Sequence, residues 1–245
     1  MSTPREERLN RWGDNEKRLN VLRRTAKETR TYRVQKRILK TALACLATLT
    51  LIMFIGAALY KDSGSFSVGV DKVDVTKYGI SLSEYRDMQY ATSRLNAKIS
   101  EKITNIAESD IPANVDMIDG VHNGENYIAY TFYLQNAGEM EISYEYELTI
   151  SNVTKGLDEA CRVRLYIDGE YVNYAKTRSD GGGAEPGTTE FYSIGVVTKG
   201  RVDGFKPGDM TKYTVVVWLE GDDPDCVNRV LDGLAKFDMS FQVIH

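Results

Sequence analysis

The 245-residue chain is long enough for one sizeable hydrophobic core or two small ones, and its formal net charge of −4 hides an uneven distribution. Residues 1–40 carry 13 Lys and Arg against 5 Asp and Glu, whereas residues 41–245 carry 18 against 30. A basic head joined to an acidic body is typical of a protein that lies across a charged boundary, and we expect no nucleic-acid partner.

Residues 41–60 form an uncharged, predominantly apolar run that starts directly after Lys40 and stops at Lys61. At about 1.5 Å per residue, a helix of this length spans roughly 30 Å, the thickness of a bilayer's hydrocarbon core. The run predicts a single transmembrane helix that acts as a signal anchor. Because Lys and Arg collect on the cytoplasmic side, residues 1–40 are predicted to be a cytoplasmic tail and the C-terminal body to lie outside the cell.

Both N-terminal segments leave an alternative open. The basic tail predicts attachment to anionic lipid, at about 1 kcal/mol per basic residue near the surface, or serves only to set the orientation in the membrane. The small-residue sequence Gly56-Ala57-Ala58 is of the kind that signal peptidase accepts, so the apolar segment is also compatible with a cleaved export signal. Against cleavage, a basic region of 40 residues is very long for a signal peptide.

Residues 61–108 divide into two segments that differ in the spacing of their apolar residues. Residues 61–81 predict a polar linker and a first strand, because valines alternate in "VGVDKVDV". Residues 82–108 predict an amphipathic helix, because apolar residues recur at steps of three and four. The residues of this pattern are Tyr85, Met88, Leu95, Ile99 and Ile106. Pro112 cannot continue a helix and marks its end.

Residues 109–245 predict a strand domain. Apolar and polar residues alternate with period two, most clearly in "EISYEYELTI". Asp168-Gly169 is a favoured hairpin turn, and the alternation around it places Arg162 and Arg164 on the side facing water. Roughly seven or eight such strands, without alternating helices, predict an antiparallel β-sandwich of Ig-like or jelly-roll type. The expected fold is therefore mainly β, with one transmembrane helix and one helical insertion.

Two features of the body are candidate stabilising sites. Four carboxylates lie within six residues at the end of the strand "YTVVVWLEG", a density of oxygen ligands that suits Ca²⁺ although the spacing is not that of an EF-hand. They are Glu220, Asp222, Asp223 and Asp225. A solvated acidic loop at a strand end explains the same residues. Cys161 and Cys226 are a candidate disulfide, which would close a loop of about 65 residues and stabilise the fold by roughly 4 kcal/mol in the chain-entropy model.

The motifs of common enzymes are missing. The sequence has no H-E-x-x-H, no G-x-S-x-G, no Walker loop and no Rossmann glycine pattern. Asp119 and His122 lie close together in the sequence, but a surface loop entering a strand explains them equally well. We therefore expect no catalytic residues and no cofactor other than the candidate Ca²⁺.

Two stretches, "YTFYLQNAGEME" and "FKPGDMTKYTVVVWLEGDDPDC", carry a resemblance. They are similar to membrane-anchored surface proteins of Gram-positive Firmicutes and, more distantly, to the camelysin and TasA biofilm-fibre family. The resemblance implies a jelly-roll or Ig-like sandwich, display at the cell surface and assembly by strand exchange. The protease activity described for camelysin does not carry over to named residues, because the chain lacks a zinc motif.

These observations predict a structural, adhesive or protein-interaction role at the cell surface. The contacts would be made to other surface or matrix proteins, through an exposed sheet edge or the polar loop at residues 177–190. An envelope sensor or an accessory subunit of a membrane complex is the alternative, and an exported hydrolase is a third hypothesis.

Overall fold

The computed structural model describes residues 4–62, 65–98, 104–230 and 232–244. The chain divides into two compact units, Met1–Tyr60 and Lys61–His245. The described residues of the first unit all belong to one helix, α1 (Pro4–Asp62), whose 59 residues correspond to about 88 Å at the usual rise. By length and composition it contains one segment apolar enough to cross a membrane, and the described side chains of Arg30–Ile55 are all exposed. The predicted apolar helix is confirmed, and it continues the basic tail without a break.

The described residues of the second unit form two sheets, and the smaller one has five strands. Its strand order is β11-β7-β13-β1-β3. The strands are β1 (Ser65–Val70), β3 (Arg94–Lys98), β7 (Ile142–Ser151), β11 (Val196–Phe205) and β13 (Lys236–Ile244). The side chains of β13 alternate between buried and more exposed, as expected for a strand with one face on a core and one face in water.

The larger sheet has eight strands, in the order β10-β9-β8-β12-β6-β2, with β4 beside β12 and β5 beside β6. The strands are β2 (Ile80–Ser83), β4 (Asn105–Ile106), β5 (Gly120–Val121), β6 (Tyr127–Asn136), β8 (Cys161–Ile167), β9 (Glu170–Ala175), β10 (Thr189–Glu190) and β12 (Met210–Glu220). Two short helices, α2 (Lys72–Tyr78) and α3 (Leu157–Ala160), and two 3₁₀ turns, Glu108–Asp110 and Val115–Met117, join the strands.

The predicted mainly β fold is confirmed, but the pairing of the described strands is mixed and not purely antiparallel. β1 runs parallel to β13, β9 parallel to β10, and β4 parallel to β12, while the other pairs are antiparallel. The first and last strands of the body lie side by side because the chain returns to the smaller sheet at its end. Hydrophobic alternation predicts each strand but not its neighbour, so the direction of pairing was not readable from the sequence.

The main core lies between the two sheets and is rich in aromatic rings. Tyr144 of the smaller sheet and Tyr213 of the larger sheet are both buried, and their hydroxyl oxygens are 2.9 Å apart. Phe132 of β6 packs edge-on against Phe241 of β13, with ring centroids 6.1 Å apart. The tyrosines satisfy each other's hydroxyl groups, so they contribute apolar area without leaving an unpaired polar atom.

A second, smaller cluster covers the opposite face of the larger sheet. Val216 and Trp218 of β12 pack there with Ile111 and Val115, which come from the segment containing the two 3₁₀ turns. Strand β12 is consequently buried on both faces, which accounts for its continuous apolar run.

The predicted helix at residues 82–108 is wrong. The structure has β2 up to Ser83, turns, β3 and then β4 in this region. Met88 and Tyr90 have φ values of 57° and 60°, which a right-handed helix does not contain. Leu95 pairs with Val68 of β1, so strand pairing with a distant segment outweighs the helical spacing. Ile99 lies outside the described residues.

The prediction for residues 61–81 is partly right. Strand β1 ends at Val70, and the following valines belong to α2 rather than to a longer strand. Asp71 caps this helix by accepting a hydrogen bond from the Val73 amide at 2.7 Å. The helix ends at Gly79, whose φ of 71° suits the left-handed position after a helix.

Candidate functional site

Strand β8 places two arginines on the outer face of the larger sheet. Val163 and Leu165 point into the main core, so Arg162 and Arg164 point the other way. The prediction that both arginines face water is wrong: they are 4% and 6% exposed. The cause is the additional layer of chain over this face, which period-two alternation cannot reveal.

The polar groups around Arg164 form hydrogen bonds with it or with one another. Its Nε donates to Asn173 Oδ1 at 2.7 Å, and its Nη2 donates to the Glu108 carboxylate, which also accepts from Asn173 Nδ2 at 2.8 Å. The guanidinium carbon lies 4.4 Å from the ring centroid of Tyr171 and 5.4 Å from that of Trp218. One carboxylate, one amide and several aromatic rings thus surround one cation.

Arg162 lies among several carboxylates. Its Nη2 is 2.6 Å from Asp223 Oδ2 and 3.4 Å from Glu185 Oε2. The Asp223 side chain is completely buried, and its Oδ1 accepts from the Asp225 amide at 2.7 Å. Oδ2 accepts no hydrogen bond from the described residues, although Arg162 Nη2 lies within ion-pair distance of it. Arg162 therefore attracts the Asp223 carboxylate electrostatically, but it does not supply a hydrogen bond to Oδ2.

The structure divides the four predicted metal ligands. Asp223 and Asp225 come together with Glu185, a residue of the loop at 177–190, and one carboxylate oxygen of each lies within 4.8 Å of the others. Glu220 instead accepts a hydrogen bond from Trp218 Nε1 at 3.0 Å. Asp222 is exposed and does not belong to the cluster. We call Glu185, Asp223 and Asp225 the carboxylate cluster.

Sequence reasoning missed Glu185. The loop at residues 177–190 is rich in glycine and polar residues and was expected to be an exposed contact surface. Glu185 is nevertheless only 6% exposed. The loop reaches the acidic turn through Ser179, whose hydroxyl donates to Asp225 Oδ1 at 2.8 Å. No local pattern signals this approach, since it depends on two loops separated by about 40 residues of chain.

The carboxylate cluster and its surroundings carry more negative than positive charge. Burial raises the pKa of Glu185, the neighbouring Asp223 raises it further, and Arg162 lowers it by a smaller amount. Burial also raises the pKa of the Cys226 thiol, with Asp223 and Glu220 adding to the effect. Three close carboxylates with one buried guanidinium favour an additional positive charge, whether a proton or a cationic group.

The fit of the carboxylate cluster to Ca²⁺ is limited. Three carboxylates supply at most six oxygens, the lower end of what Ca²⁺ takes, and Arg162 already supplies a positive charge at Asp223. A bound Ca²⁺ would have to displace this guanidinium. The cluster is therefore a candidate cation site in which an arginine side chain of the protein itself is the resident cation.

An open depression of about 490 Å³ adjoins the carboxylate cluster. Its lining includes five carboxylates against two guanidinium groups, those of Arg162 and Arg178. The carboxylates are Glu108, Glu185, Glu220, Asp222 and Asp223. The depression is net negative, so it is suited to a positively charged group.

The other predicted site residues are arranged differently. Cys161 is buried in the main core and Cys226 packs against that core; both are free thiols, and a bond between them stays a prediction. Burial raises the pKa of Cys161 to about 12. His122 has its two ring nitrogens 2.8 Å and 2.6 Å from backbone carbonyl oxygens, whereas Asp119 accepts from the Tyr133 hydroxyl at 2.6 Å. The two side chains thus have different partners.

Comparisons with known proteins do not assign the chain to a family. No family model and no curated protein matches the chain. A β-glucosidase from Kluyveromyces marxianus in complex with glucose aligns with 73% of the chain and 17% of its own length, at 13% identity and a TM-score of 0.23. A GH31 α-xylosidase from Xanthomonas citri aligns with 67% and 16%, at 12% identity and a TM-score of 0.23. The chain thus spans about a sixth of the length of these enzymes, and the likenesses are too weak to support an argument.

Proposed function

We propose that this protein is a single-pass membrane protein that displays a β-sandwich outside the cell and uses it to bind other surface or matrix proteins. The N-terminus is then cytoplasmic and the role non-catalytic. The observation that carries the proposal is an uncharged helical stretch whose described side chains have no protein around them.

The apolar part of α1 supports a retained membrane span. Leu46, Leu49 and Ile52 are between 55% and 65% exposed. Burying such side chains in lipid removes their apolar surface from water, whereas a soluble protein would leave it exposed. The excess of Lys and Arg before this segment supports a cytoplasmic N-terminus.

The outer face of the larger sheet supports a binding role for the body. A net negative depression beside a carboxylate cluster suits a Lys- or Arg-bearing segment of a partner protein. The edge strands of the smaller sheet, β3 and β11, are less suited to strand addition, since each carries basic residues, and Lys199 and Arg201 of β11 are exposed. We therefore propose the depression, rather than an edge of the smaller sheet, as the partner surface.

The span is tested by extracting membranes with alkaline carbonate and treating intact cells with protease. The wild type should stay in the membrane fraction, and protease should remove the body. Leu46→Arg with Leu49→Arg should release the chain into the soluble fraction, because each charge at the centre of a span costs about 3 kcal/mol.

Ile38→Arg with Leu39→Arg is the matched control, because it adds the same charges before the uncharged stretch. It should leave the chain in the membrane. A body that is protected from protease in intact wild-type cells would refute the proposed orientation. Recovery of a chain that starts near residue 59 would show that the segment is a cleaved signal.

The alternative function, an envelope sensor or accessory subunit, is favoured by one feature. Helix α1 continues from the basic tail through the apolar segment without interruption, which is the kind of connection that a sensor needs. Deleting residues 1–30 separates the two functions. A sensor loses its phenotype while display of the body persists, whereas an adhesive protein keeps both.

A further inference from the structure

Five basic side chains lie on one side of α1, directly before the uncharged segment. They are Arg30, Arg33, Lys36, Arg37 and Lys40. With 3.6 residues per turn, these five positions fall within an arc of about 120° around the helix. The other six residues between 30 and 40 occupy the remaining arc of about 240°. We call the five residues the basic stripe.

Few acidic residues lie near the basic stripe along the helix, so most of its positive charge is not balanced there. No Asp or Glu occurs between residues 29 and 61, so the stripe from Arg33 onward has no acid within one helical turn. Its side chains are exposed. The opposite side of the same turns carries Val34, Ile38 and Leu39, which are 48% to 68% exposed. The segment is therefore basic on one side and largely apolar on the other.

We propose that the basic stripe binds the headgroups of anionic phospholipids in the leaflet that α1 enters. The inference rests on the proposed membrane span and adds a lipid ligand to it. Because α1 is continuous, the eleven residues from 30 to 40 extend only about 16 Å from the edge of the uncharged segment. This distance covers the headgroup region and the first Debye length beyond it, where basic side chains attract anionic lipid.

A signal for membrane orientation would explain the same charges without any lipid binding. Orientation depends on the number of Lys and Arg near the end of the span, whereas a lipid site depends on their arrangement on one side. A permutation that keeps the composition but moves two charges to the opposite side therefore separates the two explanations.

The experiment compares the full wild-type chain with a variant carrying Arg33→Gln, Gln35→Arg, Arg37→Leu and Leu39→Arg. Both are reconstituted into vesicles of phosphatidylcholine and phosphatidylglycerol in a 4:1 ratio. Spin-labelled forms of the two lipids report which one is held at the protein. We expect the wild type to prefer phosphatidylglycerol about threefold, with the preference fading in about 1 M NaCl. The variant should lose at least half of the preference.

Two results would overturn the inference. One is equal preference in the wild type and the permuted variant, which would mean that only the charge count matters. The other is a wild type without any preference. Alkaline carbonate extraction of the same vesicles checks insertion separately. A chain that is extracted refutes the proposed span itself, whereas a retained chain without lipid preference refutes only the proposed lipid binding by the basic stripe.

Discussion

The surroundings of Arg162 and Arg164 differ although the two residues lie on the same face of one strand, two positions apart. Arg164 is enclosed by one carboxylate, one amide and aromatic rings, and its neighbours are satisfied. Arg162 faces the carboxylate cluster, in which one buried oxygen accepts no hydrogen bond. A buried ion pair is therefore not evidence of function by itself. The charges and hydrogen bonds around the pair distinguish an ion pair that only stabilises the fold from one that belongs to a candidate site.

The largest effect is expected from Arg162→Met. The substitution leaves the Asp223 carboxylate buried without its cation, so the free energy of unfolding should fall by about 3–5 kcal/mol. Urea unfolding of the full chain in detergent, followed by Trp218 fluorescence in a Trp12→Phe background, measures the loss. Adding Asp223→Asn removes the stranded charge and should restore at least half of the stability. A loss below about 1 kcal/mol would mean that the carboxylate cluster is solvated.

Arg164→Met should have a smaller effect, about 1–2 kcal/mol by the same measurement. The Glu108 side chain is 45% exposed, so its carboxylate regains water once the guanidinium is gone. The methionine also keeps apolar contact with the neighbouring rings. A loss as large as that of Arg162→Met would remove the distinction between the two arginines.

Glu185→Gln should stabilise the protein at neutral pH. Because the pKa of Glu185 is raised from its ordinary 4.5, the ionised side chain is less favourable in the folded state than in the unfolded chain. The wild type therefore loses stability as the pH rises through the raised pKa, and the variant does not. We expect a gain of up to about 1 kcal/mol at pH 7 that disappears below pH 4.5.

Urea midpoints between pH 4 and pH 8 measure this dependence, and Glu190→Gln at an exposed site of the next strand is the matched control. The control should show no difference from the wild type that depends on pH. Destabilisation of Glu185→Gln at pH 7 would instead mean that the attraction of Glu185 to Arg162 outweighs the repulsion from Asp223.

The smallest effect is expected from Ca²⁺. Since Arg162 supplies positive charge at Asp223, about 1 mM Ca²⁺ or a chelator should move the melting temperature of the wild type by less than about 1 °C. The Arg162→Met variant should be stabilised more by Ca²⁺ than the wild type, because its carboxylate cluster has lost this cation. A shift above about 3 °C in the wild type would assign a metal to the cluster.

Much of the fold could be predicted from the sequence because its signals are local. An uncharged run bounded by lysines specifies a lipid-compatible helix, and alternation specifies strands such as β7, β8 and β13. The Asp168-Gly169 hairpin was predicted for the same reason: the turn sequence itself favours the positive φ values of 50° and 95° found there. The helical spacing at residues 82–108 failed because pairing with β1 outweighed a local preference.

The candidate site was predictable only in part. Asp223 and Asp225 belong to a dense acidic turn and were found from the sequence, whereas Glu185 joins them through a loop that is distant in the chain. The burial of Arg162 likewise depends on what covers the second face of the larger sheet. Local chemistry thus determined the apolar helix, the strands and the acidic turn. Tertiary structure alone decided which carboxylates meet, because burial and like-charge contact arise between segments that no local pattern connects.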